Sequence, residues 1–170
     1  AKSNEKIITH VSNFRSVKRI PDVINIFKNV FKKIPSKLIM IGEGPERDFA
    51  EQICLKFGLQ DHVLFLGNSN EVIKILQLSD LFLLPSETES FGLSALEAMA
   101  SAVPVISSDT GGLPELNING VSGYLSPAGD IAGMSKNAIN ILKSSDILKT
   151  FKSGAKSVAS KYDIHDAVNS

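Results

Sequence analysis

Apolar and polar positions along the chain alternate between two rhythms. Ile20, Val23, Ile24, Phe27, Val30, Phe31 and Ile34 recur at the spacing of a helix face; Pro21 suits a first helical turn and Pro35 ends the run. The run LIMI at 38–41 follows at once, a continuous apolar stretch of the kind strands show when both faces are covered. Phe49, Ala50, Ile53, Cys54 and Phe57 make the next helical stripe, with Gly58 a natural stop. Further strands are predicted at HVLFL, DLFLLP, VPVISS and SGYLSP, and helices over 71–78 and 91–102; from Asp130 onward the chain reads as largely helical. Together with KIITHVS near the start, this strand–helix alternation predicts an α/β fold, a doubly wound parallel sheet with helices on both faces. No sequence repeat, low-complexity tract or internal linker interrupts it.

In such folds ligands sit at the carboxyl ends of the strands. The segments expected there are NFRSVK, GEGPER, LGNSN, PSETESFG and SSDTGGLPE, all rich in Gly, Ser, Asn and charge, whereas the opposite ends are plain. Composition narrows the ligand class. With 170 residues the chain suits one domain with a sizeable core, and Lys+Arg equals Asp+Glu at 18 each. No net field therefore favours nucleic acid or an anionic membrane. No apolar run reaches the length of a spanning helix, and AKSNEK lacks the apolar core of a signal peptide. The single Cys54 lies in a helical core stripe, which fits packing and a reducing compartment. A cytoplasmic domain is expected.

Several familiar chemistries fail on their residues. GEGPER has Arg47 where a dinucleotide fingerprint needs its third glycine, so it reads as a tight strand-to-helix turn. No Walker A sequence and no Asp-x-Asp pair occur, and His10, His62 and His165 are scattered without a cysteine cluster, so no metal site is expected. FLLPSETESFG is more informative. It leaves a buried strand through a polar turn and enters a helix near Phe91 and Gly92, where unpaired N–H groups and the dipole favour an anion. Gly92 would let a ligand approach the backbone. Leu93, Leu96 and Ala100 make an apolar stripe, and Glu97 falls beside it with Ser94 and Ser101, toward a crevice edge. Ser94 and Glu97 also match the spacing of a capping box, although the apolar run begins before Ser94.

The segment ETESFGLSALEAMASAVPVISSDTGGLPELNINGVSGYL resembles the signature region of the retaining nucleotide-sugar glycosyltransferases of family 4, whose mark is a Glu-x7-Glu motif, here Glu89 and Glu97. The likeness extends from HVSNFRSVKR through IGEGPER and HVLFLG to SGYL. It implies a Rossmann-like domain spanning 1–170, the C-terminal, donor-binding half of a GT-B fold, with the acceptor-binding N-terminal half absent from this chain. The resemblance implies that Glu89 holds hydroxyls of the donor sugar and Glu97 the ribose. Amides at Phe91, Gly92 and Leu93 would hold the distal phosphate. The family's basic loop usually reads Gly-Arg, then Lys-Gly. Here Lys18 falls at the Lys position, Asn13 stands where the Arg is usual, and Arg15 follows two places later. Lys18 and Arg15 are thus the expected phosphate ligands, and Asn68 in LGNSN the expected base contact. SNFR…VKR is similar to a subgroup that transfers N-acetylglucosamine to malate. The implied donor is UDP-N-acetylglucosamine, with no metal or other cofactor. A non-catalytic nucleotide-binding module, or another Rossmann-like enzyme such as an epimerase or dehydrogenase, remains open at this point.

Overall fold

The computed structural model describes residues 4–89 and 91–162. Six strands form a single parallel sheet: β1 (Lys6–Val11), β2 (Ser36–Ile41), β3 (Val63–Gly67), β4 (Leu81–Leu84), β5 (Val105–Ser108) and β6 (Gly123–Ser126). Their order across the sheet is β3-β2-β1-β4-β5-β6. The helices between and after them are α1 (Ile20–Phe31), α2 (Arg47–Lys56), α3 (Val72–Gln77), α4 (Leu93–Ala100), α5 (Leu113–Leu116), α6 (Ile131–Leu142) and α7 (Ser145–Ala159). The expected doubly wound α/β architecture is present.

β4 shows why a continuous apolar run makes a central strand. Successive side chains point to opposite faces, so Leu81 and Leu83 enter one core with Ile8, Phe27, Leu38 and Met134. Phe82 and Leu84 enter the other with Leu96, Met99, Val105 and Val158. Full burial of one such side chain stabilises the fold by roughly 1.5–3 kcal/mol.

Boundaries differ from the apolar pattern where backbone pairing or capping decides. β2 begins at Ser36, ahead of the apolar run, because its ladder with β1 starts at Lys6↔Ser36. α1 stops at Phe31, and Ile34, just before Pro35, sits in a turn closed by its N–H on the Val30 carbonyl. The expected 91–102 helix is shorter at both ends, and its N-cap is Gly92, so Ser94 lies inside α4 and caps nothing. The C-terminal helical region is two helices. Asp130 caps α6 by accepting the Gly133 N–H, and Ser144 caps α7 by accepting that of Ile147. The short α5 was not expected; Leu113 and Leu116 anchor it in the second core. Among the described residues no helix is long and apolar enough to cross a membrane.

Candidate functional site

The strand order reverses between β1 and β4. Connections from β1 lead toward β2 and those from β4 toward β5, so the loops leaving these adjacent strands diverge and open a crevice at the carboxyl edge. A cavity of about 470 Å³ occupies this place, lined by Val17, Lys18, Glu87, Thr88, Glu89, Thr110 and Gly111. Lys18 arrives on a 3₁₀ turn, Ser16–Lys18, between β1 and α1. Glu89 follows β4.

Across the crevice Lys18 Nζ donates to Glu89 Oε2 at 3.0 Å, and their side chains are only 18% and 11% exposed. The supporting loops are tied by their backbones. The Glu87 N–H donates to the Val17 carbonyl at 2.7 Å, joining the β1 and β4 loops. Thr110 Oγ1 donates to the Ser86 carbonyl at 3.2 Å, and the Gly112 N–H donates to the Glu89 carbonyl at 3.2 Å, joining the β4 and β5 loops. At Gly111, in the left-handed region at φ +55°, a Cβ would stand 1.5 Å from the Glu89 carbonyl oxygen. Only glycine permits that approach. Arg19 reinforces the jaw: it has a left-handed φ of 54° and bonds both Asp22 and Glu87.

Glu89 leads into α4. Phe91 is exposed, Gly92 is buried at φ 81°, and Leu93 is half-buried as the first helical residue. Gly92 has no side chain with which to cap the helix, so its own N-cap satisfies none of the first N–H groups. The left-handed φ of Gly92 itself favours glycine independently of any ligand; a Cβ there would lie 2.8 Å from Leu113 Cδ2, the movable end of a side chain. Glu97, one turn further in, is partly buried, and desolvation raises its pKa above the ordinary carboxylate range.

The other residues singled out in the sequence fall elsewhere. Arg15 is exposed at the start of the 3₁₀ turn, and Asn68 is exposed after β3; neither lines the crevice. GEGPER docks against the first loop, where the Phe14 N–H donates to Glu43 O and the Glu46 N–H to Phe14 O. Arg47 pairs with Glu43 and Glu51. His10 is fully buried. One ring nitrogen, Nδ1, lies 2.7 Å from the Leu83 carbonyl, which can only accept, so Nδ1 carries the proton and Nε2 accepts from Ser12 Oγ. Burial lowers its pKa to about 4. His62 packs against the Phe31 ring, and His165 lies outside the described residues. Burial pushes the Cys54 thiol up to about 11, leaving it a core side chain. Among the described residues no His, Cys, Asp and Glu gather as a metal-binding group.

Sequence reasoning did not single out Val17, Glu87, Thr88, Thr110 and Gly111 as site residues. TGG within the expected edge loop SSDTGGLPE was the available signal. A larger hollow of about 610 Å³ lies between α1 and α6, lined in part by Lys32, Lys33, Lys136 and Lys143. It shares no residue with the crevice and lies away from the strand ends that bring Lys18 to Glu89.

The family described as Glycosyl transferases group 1 matches residues 1–158. The chain belongs to this family. Among glycosyltransferases, N-acetyl-alpha-D-glucosaminyl L-malate synthase of Bacillus anthracis is 44% identical over 144 residues, covering 85% of this chain and 38% of that enzyme. The 2-deoxystreptamine N-acetyl-D-glucosaminyltransferase of Niallia circulans is 31% identical over 147 residues, covering 82% of this chain and 38% of that enzyme. The crystal structure of an S. aureus TarM variant in complex with fondaparinux, alpha-GlcNAc-glycerol and UDP superposes with a TM-score of 0.88 at 27% identity, covering 98% of this chain and 34% of the other. The chain thus spans little more than a third of the length of these glycosyltransferases.

Proposed function

We propose that this chain is the donor-binding, C-terminal domain of a retaining glycosyltransferase that transfers N-acetylglucosamine from its UDP ester to malate. The observation that carries the reading is the pairing of Lys18 with Glu89 across the switch-point crevice, four residues before the start of α4. The 44% identity to the malate synthase supports the choice of sugar and acceptor.

In this reading Lys18 holds the donor diphosphate from the crevice, the exposed Arg15 joins it from outside the crevice lining, and amides at Phe91, Gly92 and Leu93 hold its distal phosphate. Bond breaking leaves negative charge on the departing diphosphate, and fixed cations and N–H groups stabilise it as it develops. Glu89 holds sugar hydroxyls and fixes the orientation of the reacting carbon. Glu97 takes the ribose and Asn68 the base. The donor's charge is met by side chains and amides, so the proposal assigns no metal. A second domain supplies the acceptor contacts; nucleic acid has no part, and the enzyme works in the cytoplasm.

The test is calorimetric titration of the chain with UDP, GDP, ADP and NAD. UDP is expected to bind, and Lys18→Ala to weaken UDP far more than uridine, with the loss shrinking as salt rises. Binding of NAD without UDP, or equal losses for UDP and uridine, would overturn the assignment.

A further inference from the structure

We infer that Glu89 is a charge gate on the crevice, holding Lys18 when the site is empty and selecting a diphosphate ester over a free nucleoside diphosphate. The inference rests on the donor-site reading above. Its basis is that the cation expected on the phosphates and the carboxylate expected on the sugar are bonded to each other, Nζ to Oε2 at 3.0 Å. Both side chains are largely shielded from solvent, so the pair is screened less than a surface pair.

The two partners differ in freedom. The Glu89 carbonyl receives the Gly112 N–H and abuts Gly111, and the segment is also fixed through Glu87 N–H to Val17 O. None of these backbone contacts uses the carboxylate. Lys18 carries its charge on a flexible four-carbon stem. A diphosphate recruiting Lys18 therefore takes it from Glu89 and leaves the carboxylate facing the ligand. A free nucleoside diphosphate ends in a terminal phosphate carrying one more negative charge at neutral pH than its ester, at the point where the sugar is attached. That charge meets the uncovered carboxylate and is repelled. A sugar ester places hydroxyls there, and they donate to Glu89. The same carboxylate thus favours the donor and promotes release of the nucleotide product.

The experiment measures UDP, its β-methyl ester, UDP-N-acetylglucosamine and uridine by calorimetry on the wild-type chain and on Glu89→Gln. Glu89→Gln is expected to tighten UDP by about fivefold, to weaken the sugar nucleotide and to leave uridine unchanged. In wild type the methyl ester, which lacks both the extra charge and the sugar, is expected to bind more tightly than UDP. Glu89→Gln should abolish that preference. A folded Glu89→Gln that binds UDP no more tightly than wild type would overturn the gate. So would a wild-type chain that binds UDP more tightly than the ester, a comparison that needs no substitution. If wild type binds none of the nucleotides, the donor-site reading itself fails, and the gate with it.

Discussion

Glu97 and His10 are both partly or fully removed from water, and each has responded by disfavouring its charged form. For His10 the consequence is a fixed neutral ring bridging Leu83 to Ser12, where the Lys18 loop begins. For Glu97, among the described residues, no hydrogen bond or ion pair offsets the desolvation that raises its pKa. The folded chain therefore holds the Glu97 proton more tightly than the unfolded chain does. Below the ordinary glutamate pKa this costs nothing; stability falls as pH rises through the raised folded value and stays reduced above it. Glu97→Gln is accordingly expected to raise the melting temperature at neutral pH, with the gain disappearing in acid. Under the proposed function, where Glu97 takes the ribose, the substitution should also weaken UDP by about 1.5–3 kcal/mol, the worth of a charged hydrogen bond. Thermal melts across pH and parallel titrations with UDP check both halves; a Gln variant that is no more stable at neutral pH contradicts the first.

At the scale of elements, the crevice is made by three loops that hold one another through main-chain contacts, while the strands and helices supply rigid ends. The β5 loop is the least conspicuous of the three and the most constrained, because Gly111 lies against the Glu89 carbonyl. Gly111→Ala must both adopt a left-handed backbone, at roughly 1–2 kcal/mol, and displace the Glu89 segment. A total loss of about 2–4 kcal/mol is expected from denaturant midpoints, together with weaker binding of UDP-N-acetylglucosamine. Gly120→Ala is the matched control: its φ is +81°, yet a Cβ there meets nothing within 4 Å. Backbone strain alone should cost it roughly 1–2 kcal/mol. Similar losses at the two positions would show that contact with Glu89 is not what requires glycine at 111.

At the scale of the molecule, the sheet with its two cores positions the crevice at one edge, and the chain covers 38% of the malate synthase to which it is 44% identical. The crevice is open at that edge, and sugar transfer requires an acceptor group and exclusion of water from the reacting carbon. The 170-residue chain alone is therefore expected to bind UDP and to transfer no N-acetylglucosamine to malate. Robust transfer in a coupled assay with the isolated chain would show that it supplies the acceptor contacts itself.

Periodicity along the chain determined the fold class because burial on one or two faces writes itself locally: LFLL must lie between two cores, and IPDVINIF must turn one face inward. The spacing of Glu89 and Glu97, and the place of Lys18 after the first strand, were equally legible, since each depends on residues close in sequence. Strand order is different. Nothing local states that β4 pairs with β1, yet that pairing puts the Lys18 loop beside the Glu89 loop, 71 residues away. The ion pair and the Glu87–Val17 link follow from it, and the Gly111 contact follows from the pairing of β4 with β5. Long-range contacts also hold GEGPER, legible in the sequence as a tight turn, against the backbone of Phe14 through Glu43 and Glu46. The sequence determined which polar and charged groups the strand-end loops carry; the tertiary structure decided which of them meet, because only the strand order of the assembled sheet brings separate loops within bonding distance.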